Sequence, residues 1–209
     1  MKLSTDKMLA KKEGSIGWMT FNNPERRNAM SLEMWDATAE IMTEFQNDPD
    51  IRVVVMQGAG DKAFVSGADI SQFEKERSDA AAAERYGKRS EAGRKAIRDF
   101  DRPLIAMIRG YCMGGGLGIA MSADLRFAAE GSIFGIPAAR LSIAYTGENI
   151  FNLFNLVGPS RAKDILYSAK RFPAEEALSI GLINRIFPAG DLEKDCLLYT
   201  SDAADEHTG

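Results

Sequence analysis

The chain has 209 residues, 45% hydrophobic and 27% charged, enough apolar content for one large or two small packed domains and too much for disorder. A formal charge of −4 and a pI near 5.2 argue against nucleic acid as the main partner. Cys112 and Cys196 are too few for a disulfide framework or a structural zinc site, and no secretory signal or bilayer-length apolar run is present, so a cytoplasmic protein with no membrane partner is expected. The single histidine, His207, stands near the end in a polar stretch. That disfavours Ser-His-Asp and Cys-His catalysis and His-rich metal sites, so no metal ligands are assigned.

In chain order, residues 14–21 read as a strand with Ile16, Trp18 and Phe21 apolar, running into the turn Asn22-Asn23-Pro24-Glu25. Ser31 is the expected N-cap of a helix to about residue 46, with Leu32, Trp35, Met42 and Phe45 on one face. Residues 51–57 form a β-branched strand whose nearly continuous apolar run predicts burial on both faces. Residues 71–100, charged and alanine-rich, predict an exposed helix with a weak apolar stripe. A strand at 104–108 leads into Met113-Gly114-Gly115-Gly116-Leu117-Gly118, a short helix to residue 122, and short strands at 125–128 and 132–135. Helices at 148–157, 160–169 and 173–180 follow, each bounded by Pro or Gly. Such alternation means α/β with a parallel sheet. From Cys196 onward the periodicity breaks, and the sequence reads as sequencing-adapter read-through, the alternative being a genuine frayed terminus. The expected division is therefore a 1–195 core and an atypical, non-native tail at 196–209.

Two segments place backbone amides just after a buried strand: Ser66-Gly67-Ala68-Asp69 and Gly114-Gly115-Gly116. Glycines there either permit tight turns or let a ligand approach the main chain, and two amides aimed at one point make an oxyanion hole. A dinucleotide fingerprint is disfavoured, because Ile119 or Met121 falls where the third glycine belongs.

The order and spacing of several motifs resemble the crotonase family, the enoyl-CoA hydratase/isomerase superfamily. They are Asn22-Asn23-Pro24-Glu25-Arg26-Arg27-Asn28-Ala29-Met30, Ala63-Phe64-Val65-Ser66-Gly67-Ala68-Asp69-Ile70, Gly110-Tyr111-Cys112-Met113-Gly114-Gly115-Gly116 and Phe134-Gly135-Ile136-Pro137, with Gly158-Pro159-Ser160-Arg161-Ala162 further on. The resemblance implies a spiral of ββα units with a helical C-terminal part, assembled as a homotrimer or hexamer. It implies an acyl-CoA thioester as partner, with coenzyme A as part of the substrate and no permanently bound cofactor. The thioester oxygen is then expected between the Ala68 and Gly115 amides. Main chain around Ala63, Ala68, Asp69, Ile70 and Ser71 would border adenine and pantetheine. Arg26, Arg27 and Lys62 would meet the CoA phosphates or else be solvated surface charges. Asp69 would be catalytic or a cap on its loop.

Hydratases of this family carry two glutamates, at the places held here by Gly118 and Ala138. Without them water addition is not the expected chemistry. Tyr145 and Glu148 are the replacement candidates, each against a structural alternative: a core phenol for Tyr145, a helix-start carboxylate for Glu148. The resemblance therefore implies an acyl-CoA enzyme stabilising a thioester enolate, by isomerase- or decarboxylase-like chemistry. The alternative is a non-catalytic acyl-CoA-binding or scaffold member. Family members also run several dozen residues longer, so a C-terminally incomplete chain is expected.

Overall fold

Strand Val53–Gly58 (β3) alternates between two hydrophobic clusters: Val54 and Met56 enter the larger, Val53 and Val55 the smaller. Leu104–Ile108 (β5) does the same, with Leu104, Ala106 and Ile108 on one side and Ile105 and Met107 on the other. Side chains of a strand alternate faces, so both faces of this sheet are covered, as the apolar run at 51–57 implied.

The computed structural model describes residues 3–69, 80–145 and 147–205. Within them, a six-stranded sheet runs Met8–Glu13 (β1), Ile16–Phe21 (β2), β3, β5, Leu125–Ala129 (β7) and Arg185–Phe187 (β10). It is parallel apart from the β1–β2 hairpin. A smaller sheet orders Ala63–Val65 (β4), Tyr111–Met113 (β6), Ile133–Gly135 (β8) and Arg171–Pro173 (β9). From β3 to β8, successive strands alternate between the two sheets, and a helix follows each pair. That repeating ββα path makes the spiral.

Helix Leu32–Asn47 (α1) starts at Ser31, whose Oγ accepts from the Met34 amide, and buries Leu32, Trp35, Met42 and Phe45. Helix Ala80–Arg98 (α2) packs on it through a stripe including Tyr86, Ser90, Gly93 and Ile97. Gly115–Met121 (α3) follows β6, and Gly147–Ser168 (α4) follows β8. Gly158, at φ 75° and ψ 165°, breaks α4 just before Pro159, where the sequence divides it into two helices. Ala174–Ser179 (α5) precedes β10.

Five strands escape the sequence reading. β1 is exposed along most of its length, and β4, β6, β9 and β10 span three residues each. The chain end also differs: Leu192–Asp205 (α6) is a single helix across residue 196. Its Leu192 and Cys196 are fully buried against Trp18, Val53 and Phe127 on the smaller cluster's face. Among the described residues, no helix is long and apolar enough to cross a membrane.

Candidate active site

The loops bearing Ala68 and Gly115 are held by hydrogen bonds traceable to the motifs. Asn28, fully buried and left-handed at φ 56°, accepts from the Asn23 amide at 2.9 Å and donates to the Ala59 and Ala63 carbonyls at 3.1 and 2.7 Å. This lays residues 27–30 beside residues 66–69. Ser66 N donates to Arg27 O, Met30 N to Gly67 O at 2.8 Å, and Asp69 N to Met30 O at 2.9 Å. Because Gly67 O and Asp69 N make the bridge at Met30, the intervening Ala68 amide points the other way.

Across from it, Gly116 packs against β4 so closely that a Cβ there would lie 2.0 Å from the Val65 carbonyl oxygen. Gly114 adopts φ 51°, a turn that a side chain would strain, and sets Gly115 as the first residue of α3. A first-turn amide has no acceptor within its own helix. The two loops meet: a Cβ on Gly115 would stand 4.0 Å from the Ala68 nitrogen, and one on Gly67 3.9 Å from the Gly115 nitrogen. Among the described residues, neither amide has a hydrogen-bond acceptor.

Ala68 and Gly115 line a cavity of about 610 Å³, which Tyr145 and Glu148 also line. The four residues assigned to catalysis from sequence are thus brought to one space. Gly118 and Ala138, at the two places where the resemblance leads one to expect carboxylates, line it too. A Cβ on Gly118 would come within 2.5 Å of Asn149 Nδ2, so the Asn149 carboxamide fills the room a longer side chain would need.

Tyr145 donates its hydroxyl to the Gly114 carbonyl at 2.9 Å. Burial, aided by the neighbouring Cys112, pushes the phenol well above its ordinary range, so it is a neutral donor at physiological pH. Glu148 pairs with Arg98 at 2.6 Å, which ties α4 to α2. Arg98 also reaches Glu91 at 3.4 Å, and Arg94 lies 3.5 Å from Glu91 and 5.0 Å over the Trp35 ring. Trp35, Tyr86 and Arg94 line the cavity. The sequence analysis missed Arg94, Arg98 and Asn149. Their only signal there is the weak stripe of α2 and the position of Asn149 beside Glu148.

The other sequence-assigned residues sit outside the described lining. Arg26 is exposed, 3.9 Å from the Asp69 carboxylate. Arg27 lies 5.1 Å over the Tyr111 ring, and Arg171 lies 5.8 Å from the same ring. Lys62 is exposed and its carbonyl accepts from Tyr111 N, while Ala63 and Asp69 are buried. Ile70 and Ser71 lie outside the described residues.

The sequence profile of the enoyl-CoA hydratase/isomerase family matches residues 11–207. A short-chain-enoyl-CoA hydratase of Clostridium acetobutylicum is 32% identical over 190 residues, spanning 91% of this chain and 72% of its own. A carnitinyl-CoA dehydratase of Salmonella enteritidis is 33% identical, over 87% of this chain and 68% of its own. Among solved structures, an enoyl-CoA hydratase/carnitine racemase from Magnetospirillum magneticum superposes with a TM-score of 0.91 at 33% identity, covering 96% of this chain and 75% of that one. An enoyl-CoA hydratase/isomerase family protein from Hyphomonas neptunium gives 0.90 at 36%, covering 95% and 76%.

Proposed function

Because the chain belongs to the enoyl-CoA hydratase/isomerase family, we propose that it processes an acyl-CoA thioester through an enolate held by the Ala68 and Gly115 amides. The observation that carries this reading is the close approach of the Ala68 and Gly115 loops, whose residues line one cavity beside a single carboxylate, Glu148, among the described lining residues. Loss of a proton or of CO2 from the α-carbon moves an electron pair onto the thioester oxygen. Two preorganised donors meet that charge, and removing one such donor typically costs about 2.7–4 kcal/mol of barrier stabilisation. The Gly67-Ala68-Asp69 backbone would border the pantetheine, and the exposed Arg26, Arg27 and Lys62 would face the CoA phosphates.

Hydration needs one group to activate water and another to protonate the α-carbon. Gly118 and Ala138 supply neither, and each acid–base group typically contributes about 10²–10⁴-fold. Glu148 remains as proton acceptor for an isomerisation. Decarboxylation asks least of this cavity, since carbon dioxide leaves without a base. The test follows loss of the enoyl-thioester absorbance with a short trans-2-enoyl-CoA, beside malonyl-type and 3-enoyl thioesters. Slow or undetectable hydration is expected, with either isomerisation of the 3-enoyl thioester that falls in Glu148→Gln or loss of CO2 from the malonyl-type thioester that does not need Glu148, and in each case turnover abolished in Gly115→Pro. Rapid hydration unaffected by Glu148→Gln would overturn the reading. Tight acyl-CoA binding with no turnover of any thioester would establish the non-catalytic alternative.

A further inference from the structure

Peptide groups have two ends. The Gly114 carbonyl and the Gly115 N–H belong to the same plane and point in opposite directions. With glycine on both sides, that plane meets little steric resistance to rotation, so the sequence that lets Gly115 N–H face the cavity does not by itself keep it there. The structure supplies the restraint at the carbonyl end. Gly114 O accepts from the Tyr145 hydroxyl at 2.9 Å and from Gly118 N at 3.0 Å, and Gly114 N donates to Gly135 O at 2.8 Å. Two of these bonds belong to the main chain of α3 and β8. The third is a side chain delivered from the segment just before α4.

We propose that Tyr145 is a positioning residue whose phenol, by donating to the Gly114 carbonyl, fixes and polarises the peptide that presents the Gly115 N–H. This rests on the reading of Ala68 and Gly115 as the two oxyanion donors. A carbonyl that accepts a hydrogen bond makes the N–H of its own amide a better donor, because bonds in a chain polarise one another. The phenol suits this role because it is neutral, partly buried at the edge of the larger core, and directs its one proton at Gly114 rather than at the cavity. Proton delivery to an enolate would require that same proton to leave the carbonyl it holds, loosening the donor at the moment charge develops on the thioester oxygen. Positioning and acid catalysis by Tyr145 are therefore competing roles, and the geometry favours positioning.

The test uses the full 209-residue chain with a saturated, unreactive probe, butanoyl-CoA carrying carbon-13 at the thioester carbonyl. Difference infrared spectroscopy reads the carbonyl stretch, and calorimetry reads the dissociation constant. In the unaltered protein the stretch should fall on binding. In Tyr145→Phe the fall should shrink to roughly half, one of two donors having been loosened, while affinity changes by less than about threefold. Substituting p-aminophenylalanine at this position restores a donor and should restore the shift, whereas p-fluorophenylalanine fills the same space without donating and should not. That pair decides the matter even if Tyr145→Phe does not fold. An undiminished shift in the variants that cannot donate overturns the role of Tyr145 and leaves the oxyanion reading standing. No shift in the unaltered protein overturns both.

Discussion

At position 118 room for a longer side chain is a matter of space as well as chemistry. The site where a Gly118 side chain would begin lies 2.5 Å from Asn149 Nδ2 and 2.8 Å from Asn149 Oδ1, so a glutamate there must first displace a carboxamide. Ala138 already faces the cavity. The pair Gly118→Glu with Ala138→Glu should therefore restore little hydration alone, and substantially more when Asn149→Gly is added. Each restored glutamate is worth about 10²–10⁴-fold when correctly placed, and strong non-additivity is expected because residues 118 and 149 share one volume. Enoyl-thioester absorbance measures it; equal rates with and without Asn149→Gly would show that Asn149 does not control the space. The same pair shows what a sequence conveys at this scale. That the Gly67-Ala68 and Gly114-Gly115-Gly116 segments share a site was legible through the resemblance of the two motifs taken together, glycine standing out as a letter where backbones approach closely. The role of Asn149 was not, because a carboxamide on a helix has many uses and only the fold brings it to Gly118.

Helix α2 reaches the cavity because Gly93 lets it lie against α1. A Cβ on Gly93 would fall 2.7 Å from the Trp35 carbonyl oxygen and 2.8 Å from Trp35 Cε3. A backbone atom cannot step aside as a flexible side chain can, so the helices themselves must separate. Gly93→Ala gains about 1 kcal/mol in helix propensity, while overpacking costs about 1–3 kcal/mol, so a net loss of up to about 2 kcal/mol is expected. Tm should fall by a few degrees in a thermal melt, at roughly 2–4 °C per kcal/mol for a chain of this size. An unchanged or raised Tm would mean that the helix contact is soft. The packing of α2 was less legible than its existence: its high charge and alanine content advertise solvent, and Tyr86, Ser90, Gly93 and Ile97 include only two large apolar residues. α1 and β3 were legible for the opposite reason, their apolar positions repeating at helical spacing or in an unbroken β-branched run. β1 was missed because an exposed edge strand gains from lysine and glutamate, which erase the apolar alternation.

For the molecule as a whole, both faces of the six-stranded sheet carry buried apolar clusters, yet among the described residues one apolar region is exposed. Leu141 and Ile143, both lining the cavity, are 48% and 50% exposed, and Phe151, one turn beyond Glu148 on α4, is 65% exposed. Phe154, Leu156 and Val157, on the same helix, are only partly buried against the core. Monomeric proteins tolerate single exposed apolar residues, but several of them near the rim of a cavity mouth suit a surface that another molecule covers. A second copy of this chain suits that rim, because burying one exposed phenylalanine from each copy gains about 1.5–3 kcal/mol per side chain before the smaller neighbours contribute. We therefore expect self-association at tens of micromolar, read by light scattering coupled to size exclusion as a mass well above 22.9 kDa, and for a homotrimer about three times that value. Phe151→Asp places a charge at the most exposed point of the rim, where it costs little in the monomer. It should lower the mass toward 22.9 kDa while leaving the far-ultraviolet circular dichroism unchanged. If the unaltered chain runs as a monodisperse monomer at the highest attainable concentration, this rim does not serve as an interface between copies of the chain. Association that survives Phe151→Asp would move the interface to a different face of the spiral.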